Sequence, residues 1–330
     1  MSAPVQLPEV SPPLPWQYPA WEQLARQIEG ATLPHALMLV APRYTGKERF
    51  ATALARLLLC EQPDGGLNCG RCRACQLTAA GSHGDFHWLG PEGKAQVIKV
   101  DSVRHAVSLA SKTATHGRAK VIVFSPVEAM NVNAANALLK CLEEPTPETY
   151  MLLLAAQPHR IPATVRSRCQ QLRLPAPQRE QSLAWLDSAT GARGESEKWL
   201  DLADGRPLLA QQLYSDPEAD NLVAPRLACA ALLAGEIDVG RAVAMVESSE
   251  LPQVLEQVAA TLRSWLASCD APTLRGRRAR ALFALLDEVG DAQRAVNSGA
   301  NPNRQLLCEV ILEKLHFLLG GQGRDASISP

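Results

Sequence analysis

A degenerate phosphate-binding loop constrains the fold of this chain more than any other feature of the sequence. Residues 41–48 read A-P-R-Y-T-G-K-E, which matches the phosphate-loop template G-x-x-x-x-G-K-[ST] only at Gly46 and Lys47. Ala41 replaces the first glycine, where a positive φ is expected, and Glu48 replaces the hydroxyl residue that would hold Mg²⁺. Because such a loop joins a strand to a helix, the pattern predicts an ATPase scaffold used for something other than hydrolysis.

The segments around this loop alternate between strand and helix patterns. Residues 36–40 are a short apolar run, and residues 48–59 repeat apolar side chains at helical spacing. Further apolar runs lie at 121–124 and 150–156, and residues 170–174 are strand-like. A second helical stretch at 133–144 is expected to end at Pro145. The sequence therefore predicts a parallel sheet covered by helices.

The sequence changes character after residue 174. Residues 175–177 form a proline-containing linker, and residues 178–215 predict a small helical unit with a turn at 204–207. An Ala- and Leu-rich helical region follows, whose last helix is expected to have Asn301 as its N-cap and to end at Gly320. We therefore predict three domains, at residues 1–174, 175–220 and 221–330.

Four of the nine cysteines lie close together in the sequence. They form a C-x8-C-x2-C-x2-C array within segment 60–75, at Cys60, Cys69, Cys72 and Cys75. Four thiolates at this spacing can form a tetrahedral metal site, which is structural because no coordination position stays open. Zinc is favoured, and an iron–sulfur cluster is the alternative, although the C-x3-C-P run of ferredoxins is missing.

Composition excludes several classes of protein. The chain has 330 residues, enough for two or three domains. Its net charge of -1 argues against a freestanding nucleic-acid binder. Residues 1–20 contain no apolar signal segment, so the nine cysteines predict a reducing, cytoplasmic location. No stretch is long and apolar enough to span a membrane, so no membrane association is expected.

The residues after the strand at 121–124 argue against ATP hydrolysis. A hydrolysing site needs an acid for Mg²⁺ and an acid or amide that orients the attacking water. Ser125 and Pro126 occupy the positions where these acids are expected, and Glu128 would point elsewhere unless a bulge corrected it. Two interpretations of the Gly-Lys pair stay open: residual phosphate binding, or a helix N-terminus with a surface lysine.

Four short motifs occur together along the chain. They are L-P-H-A at 33–36, the cysteine array at 60–75, N-A-L-L-K-C-L-E-E-P at 136–145 and S-R-C at 167–169. In combination they resemble the bacterial clamp-loader ATPase family of DNA polymerase III, over residues 14–320. The resemblance implies an α/β AAA+ module with an inserted zinc knuckle, then a small helical lid, then an all-α collar domain through which five subunits form an open ring.

The resemblance also implies roles for individual residues. Arg168 of the S-R-C motif would act in trans, reaching the γ-phosphate of ATP bound by an adjacent tau or gamma subunit. Leu208 stands where active members have a lid arginine, and Ala155 and Ala156 stand where a strand ends in a polar sensor residue. The zinc ligands would be Cys60, Cys69, Cys72 and Cys75.

A defective ATP site beside an intact S-R-C motif resembles an ATPase-defective subunit of this family. Such a subunit would not bind ATP productively, and with tau or gamma and delta subunits it would help to load the sliding clamp onto primed DNA during chromosomal replication. One alternative is an active tau- or gamma-like ATPase, which the missing acids disfavour. The other is a zinc-dependent nucleic-acid-binding module, which the near-neutral charge disfavours.

Overall fold

The structure is a computed structural model that describes residues 7–91, 97–115, 118–144, 146–191, 194–297 and 300–320. Pro145, the expected end of a helix, lies outside these residues. The chain divides into two compact units, Met1–Gln211 and Gln212–Pro330. Among the described residues, no helix is long and apolar enough to cross a membrane.

The first unit is built on a parallel sheet, which has five strands within the described residues. The strands are β1 (Ala36–Val40), β2 (Phe86–Leu89), β3 (Lys120–Phe124), β4 (Thr149–Ala155) and β5 (Gln170–Arg173). Their order across the sheet is β2-β3-β4-β1-β5, so β1 lies between β4 and β5. All pairs are parallel, and the carboxyl ends of the strands therefore meet at one edge of the sheet.

Helices cover both faces of this sheet and continue beyond it. Those of residues 18–166 are α1 (Tyr18–Glu29), α2 (Lys47–Leu59), α3 (Arg73–Ala79), α4 (Val100–Ala110), α5 (Val132–Glu143) and α6 (Ala163–Arg166). Short 3-10 helices lie at Pro15–Gln17, Val127–Ala129 and Pro158–Arg160. After the sheet come α7 (Arg179–Thr190), α8 (Ser196–Leu202) and α9 (Pro207–Ser215).

Alternate residues of β1 belong to two hydrophobic cores, one on each face of the sheet. Leu37 and Leu39 pack in the core that contains Phe50 of α2. Met38 packs in the core that contains Leu138 of α5. Because both faces are covered, β1 is apolar at all five positions.

The second unit is helical throughout its described residues. A 3-10 helix at Pro217–Leu222 precedes α10 (Ala224–Ala234), α11 (Val239–Met245), α12 (Leu251–Ser268), α13 (Ala271–Leu274), α14 (Arg277–Asn297) and α15 (Arg304–Leu319). Its core is formed by the apolar faces of these helices, with Val258, Leu282 and Leu315 fully buried.

The predicted α/β module followed by helical regions is confirmed, with differences in detail. The pattern analysis missed β2, because this edge strand buries only Trp88 and so lacks an all-apolar run. It also missed α3 and α4. The expected N-cap Asn301 is wrong: the Asn303 side chain accepts the N–H of Leu306, and α15 starts after it. The domain boundaries at 174 and 220 stay a prediction.

Candidate functional site

The degenerate phosphate loop follows β1 at the carboxyl edge of the sheet, and α2 starts directly after it. Gly46 has a φ of 97°, a conformation that favours glycine, and Tyr44 also has a positive φ, of 62°. Ala41 is not among the residues with positive φ. Its N–H instead donates to the carbonyl of Ala155 at 3.1 Å. The expectation of a positive φ at Ala41 is therefore wrong, because pairing with β4 continues through this residue.

The chain's own N-terminal segment packs against this loop. The indole Nε1 of Trp16 donates to the carbonyl of Thr45 at 2.9 Å, and the amide of Gln17 donates to the same oxygen at 3.3 Å. A Cβ placed on Gly46 would lie 2.3 Å from Cδ1 of Leu14. These three residues, Leu14, Trp16 and Gln17, form what we call the N-terminal cover.

The helices after the sheet contact the same loop. The N–H of Leu208 donates to the carbonyl of Tyr44 at 3.2 Å, and its Cδ1 lies 3.5 Å from the Cβ position of Gly46. Trp185 of α7 packs edge-on against Trp16, with ring centroids 5.8 Å apart. An uncharged leucine thus lies beside the loop, at the position for which the sequence suggested a lost lid arginine.

Lys47 is buried, with 1% of its surface exposed, so the interpretation as a surface lysine is wrong. Its Nζ lies 2.9 Å from Oε1 of Glu48 and donates to the carbonyl of Pro42 at 3.5 Å. The carboxylate that replaces the template hydroxyl therefore neutralises the lysine. A phosphate group would have to displace Glu48 before it could pair with the ammonium group.

Among the described residues at the ends of β3 and β4, the one acid, Glu128, is already bound to backbone N–H groups. The N–H of Ser125 donates to the carbonyl of Leu89 at 2.9 Å, which extends the pairing of β3. The carboxylate of Glu128 accepts the N–H groups of Ala156 and Gln157 through one oxygen. Its second oxygen is buried without a hydrogen-bond partner among the described residues. Glu128 thus satisfies backbone donors after β4, a contact that the sequence did not indicate.

The four cysteines of the array form a cluster in which all Sγ atoms lie within 4.8 Å of one another. The Sγ atoms of Cys60 and Cys72 are 3.9 Å apart, and those of Cys69 and Cys75 are 4.0 Å apart. Tetrahedral bonds of about 2.3 Å to one metal ion would place the sulfurs about 3.8 Å apart. The observed separations fit such a site and exclude disulfide bonds.

Backbone groups of the knuckle, residues 60–75, donate to three of its four sulfurs. The N–H groups of Cys69, Cys72 and Cys75 donate to the Sγ of the preceding cysteine of the array, at 3.3, 3.4 and 3.4 Å. Cys72 is also the N-cap of α3, so the helix starts at a residue of the cysteine cluster. Hydrogen bonds to a thiolate favour its charged form, which is the form that binds a metal ion. This donor set can hold a soft metal ion.

The knuckle is connected to the N-terminal lead, residues 7–13. The Asn68 amide donates to the Sγ of Cys75 at 3.5 Å and to the carbonyl of Glu9 at 2.7 Å. Its oxygen accepts the N–H of Ser11 at 2.9 Å. Arg56 of α2 donates to the Ser11 hydroxyl at 2.7 Å. The lead is therefore fixed directly before the N-terminal cover.

Arg168 lies between α6 and β5 and is held by neighbouring groups. Its Nε donates to Oε1 of Glu143 at 2.6 Å, and its Nη2 forms an ion pair with the same oxygen. Its Nη1 donates to the carbonyl of Thr164 at 2.9 Å. The side chain is 34% exposed. The guanidinium group is thus oriented by contacts at its nitrogens, while the side chain stays partly exposed to solvent.

Arg168 and the phosphate loop lie at opposite edges of the sheet. Gln170 pairs with Leu37 and Arg173 pairs with Val40. Arg168 precedes β5, whereas the loop follows β1, so at least three strand residues, about 10 Å, separate the two positions. The structure does not bring Arg168 to the chain's own phosphate loop.

Comparison with known proteins agrees with this architecture. The profile of the family described as "DNA polymerase III, delta subunit" matches residues 16–178. The DNA polymerase III subunit delta' of Escherichia coli is 32% identical over 326 residues, which cover 93% of this chain and 96% of that protein. This chain belongs to the DNA polymerase III delta-prime family. The family resemblance predicted from the four motifs is confirmed.

Other delta-prime relatives align over a shorter region. The subunit delta' of Pseudomonas aeruginosa is 45% identical over 202 residues, which cover 61% of this chain and 61% of that protein. Among solved structures, a DNA polymerase III gamma subunit-related protein from Thermotoga maritima has a TM-score of 0.43 at 16% identity, covering 89% of this chain and 99% of that one. At that level of similarity the family assignment rests on the sequence matches.

Three groups of residues in this delta-prime family member had no functional interpretation from sequence. The N-terminal cover precedes the loop it contacts by about thirty residues, as the separation of 29 between Trp16 and Thr45 shows. Asn68 carries no signal apart from its position beside a cysteine. Glu143 lies within the L-E-E-P motif, and its charge at a helix end is the one signal that points to a partner.

Proposed function

We propose that this chain is an ATPase-defective clamp-loader subunit that supplies Arg168 to the ATP site of a neighbouring tau or gamma subunit. In this role it helps to load the sliding clamp onto primed DNA. One observation carries the proposal: the partly exposed guanidinium group of Arg168 lies at the edge of the sheet opposite to the chain's own phosphate loop. It is therefore suited to serve another subunit.

The chemistry of an arginine suits this task. A planar guanidinium group presents parallel N–H donors that match two oxygens of a phosphate group. Charge builds up on the transferring γ-phosphoryl group during hydrolysis, and a fixed cation stabilises it most in the transition state. An arginine supplied in trans typically accelerates hydrolysis by about 10³ to 10⁵.

The chain's own phosphate loop supports a role without ATP turnover. Lys47 is paired with Glu48, and the N-terminal cover and Leu208 pack against the loop. No acid takes the place of Ser125 and Pro126. We therefore propose that the chain does not bind ATP productively, which disfavours the alternative of an active tau- or gamma-like ATPase.

We further propose that the four-cysteine cluster holds one zinc ion in a structural role. The sulfur separations of 3.9 and 4.0 Å support a tetrahedral site, and four thiolates leave no coordination position for a substrate. When bound, zinc would contribute the charge and geometry that keep the knuckle folded. The residues that would hold it are Cys60, Cys69, Cys72 and Cys75.

The proposed partners are the tau or gamma subunits, the delta subunit and the sliding clamp, with primed DNA bound through the assembly. The delta-prime relatives support this set, because their names place them in DNA polymerase III. Association with these subunits would occur in the cytoplasm, where the nine cysteines stay reduced.

The trans role of Arg168 can be tested in a reconstituted clamp loader. Arg168→Ala should reduce DNA- and clamp-stimulated ATP hydrolysis at the served site by about 10³-fold or more, while other sites keep a residual rate. Clamp loading should fall with it, and assembly measured by gel filtration should not change. Arg173→Ala removes an exposed arginine from the other end of β5 and is the matched control. Wild-type hydrolysis by an assembled Arg168→Ala complex would show that the assignment is wrong.

A further inference from the structure

The ion pair between Glu143 and Arg168 joins two elements that are 25 residues apart in sequence. We propose that Glu143 is a positioning residue, which orients the guanidinium group of Arg168 toward the neighbouring subunit's γ-phosphate. The inference rests on the proposed function of Arg168 and adds to it the group that sets its geometry. Glu143 itself does not contact the reacting atoms.

The guanidinium group of Arg168 is held by contacts at its three nitrogens and still keeps donor capacity at its terminal edge. Oε1 of Glu143 accepts hydrogen bonds from Nε and from one N–H of Nη2. The carbonyl of Thr164 accepts one from Nη1. The Ser167 hydroxyl lies 3.4 Å from Nη1. A guanidinium group has five N–H donors, so among the described residues only the second N–H of Nη2 is left without a contact. The 3.4 Å hydrogen bond to Ser167 is long and weak, so a phosphate oxygen can replace it at Nη1, the other terminal nitrogen. That terminal pair is the edge that binds a phosphate group in bidentate geometry.

The position of Glu143 on its helix indicates that its charge serves a partner. It is the last residue of α5, where the partial negative charge of the helix end disfavours a carboxylate. Glu144 follows immediately and adds a second negative charge. The cation of Arg168 offsets this arrangement, because it pairs with Glu143 beside the same helix end. If this position served only the stability of the helix, a lysine or arginine would be favoured there, because a cation interacts well with the last carbonyls.

The base from which Glu143 projects is fixed to the core. Leu142 is buried, and its carbonyl accepts a hydrogen bond from Nε2 of His35 at 2.9 Å. Leu138, one turn earlier, is fully buried in the core beneath the sheet. A functional group is placed most precisely when it projects from an anchored helix instead of a loop. Glu143 can therefore hold the guanidinium group of Arg168 at a fixed position relative to the core.

The expected kinetic effect follows from this geometry. An arginine side chain has several rotatable bonds, and without Glu143 the guanidinium group of Arg168 would sample orientations that do not match the phosphate. The contact with the γ-phosphate strengthens as charge develops, so misplacement should lower kcat and leave KM for ATP almost unchanged. The ion pair is solvent-accessible, with 48% of the Glu143 side chain exposed, so it orients Arg168 without locking it.

The test uses a clamp loader reconstituted with variants of this chain. Glu143→Ala should lower kcat at the served site by about 10-fold, with less than a twofold change in KM. Glu143→Gln keeps an oxygen that accepts from Nε and should restore most of the rate. Glu144→Ala, which removes the neighbouring carboxylate, is the matched control and should behave as wild type. Adding Glu143→Ala to Arg168→Ala should cause no further loss, because the positioned group is gone.

The outcomes separate this inference from the proposed function. If Arg168→Ala abolishes stimulated hydrolysis and Glu143→Ala has the wild-type kcat, the positioning role is overturned and the trans arginine stands. A rise in kcat for Glu143→Ala would also overturn it, because the carboxylate would then compete with the phosphate. If the Arg168→Ala complex hydrolyses ATP and loads the clamp as wild type does, both proposals fail. Should Glu143→Ala not fold, Glu143→Asp against Glu144→Asp decides, since the shorter carboxylate should lower kcat.

Discussion

Lys47 keeps the charge of a phosphate-loop lysine, but its ammonium group is already paired within the loop. Glu48 supplies a carboxylate at 2.9 Å, and Gly46 places both residues at the start of α2. If Glu48 moved away, the buried ammonium group of Lys47 would be left unpaired and poorly solvated. This would cost free energy. The substitution of the template hydroxyl by Glu48 therefore does two things: it removes a Mg²⁺ ligand and occupies the lysine.

Restoring the template residue should not restore nucleotide binding. We expect Glu48→Thr to show no saturable heat with Mg·ATP, because the missing acids and the N-terminal cover are unchanged. It should also lower the free energy of unfolding by about 1–3 kcal/mol, since Lys47 loses its charged partner. Calorimetry and denaturant unfolding measure the two effects. Saturable Mg·ATP binding that Lys47→Ala abolishes would contradict this account of the loop.

At the scale of elements, the knuckle, the N-terminal lead and the phosphate loop form a connected series. Asn68 links a knuckle cysteine to the lead, and Arg56 links the lead to α2. The lead continues into the N-terminal cover, which contacts Thr45 and Gly46. The fold of the knuckle should therefore influence how firmly the cover is held.

Metal removal should loosen the lead as well as the knuckle. After chelation we expect faster amide hydrogen exchange in residues 8–17 and 60–80, together with alkylation of the four knuckle cysteines at pH 8. The loosened knuckle should lose the burial that raises the pKa of the Cys60 thiol to about 12. Cys169 and Cys229 should stay unmodified, because burial raises the pKa of each thiol to about 12 and leaves about one in 10⁴ as thiolate. Mass spectrometry measures both the hydrogen exchange and the alkylation.

One variant tests the contact between Asn68 and the N-terminal lead independently of metal binding. Asn68→Ala should accelerate exchange in residues 8–17 while zinc content, measured by elemental analysis, stays near one equivalent. Unchanged exchange in residues 8–17 after complete metal loss would mean that the knuckle does not hold the lead. Iron with visible absorption in place of zinc would overturn the choice of metal.

At the scale of the whole molecule, each unit has its own hydrophobic core. The first unit has one core on each face of the sheet, and the second has a single core among α10–α15. The second unit also exposes large apolar side chains, at Phe283, Leu306 and Phe317. The prediction that this region is a collar domain makes these side chains candidates for contact with partner subunits, and the most exposed of them, Phe317, is the one to test.

Two residues of α15 should separate stability from assembly. Leu315 is fully buried, and Leu315→Ala should lower the free energy of unfolding by about 2–5 kcal/mol. Phe317 is 85% exposed, so Phe317→Ala should change it by less than about 0.5 kcal/mol yet weaken association with tau or gamma subunits. Thermal unfolding and analytical gel filtration provide the two measurements. Full-strength assembly of Phe317→Ala would exclude this side chain from the interface.

Local patterns in the sequence were sufficient for the parts of the fold that obey one short-range rule. The apolar runs of β1, β3 and β4 identified the central strands, because a strand buried on both faces is apolar throughout. The turn at 204–207 was confirmed, with positive φ at Asp204 and Gly205. The cysteine spacing predicted the four-cysteine cluster, since all four residues lie within one short segment. The edge strand β2 escaped because only one of its four residues is buried.

The sequence alone therefore determined the scaffold, the cysteine cluster and the family, because each depends on residues close together in the chain. Only the tertiary structure showed that Glu143 pairs with Arg168, that the cover packs against the phosphate loop, and that Lys47 is buried. These contacts depend on where helix ends and sheet edges meet across long separations. Local residue patterns do not predict that geometry, since a glutamate or tryptophan in the same local sequence could face solvent if the helices packed differently.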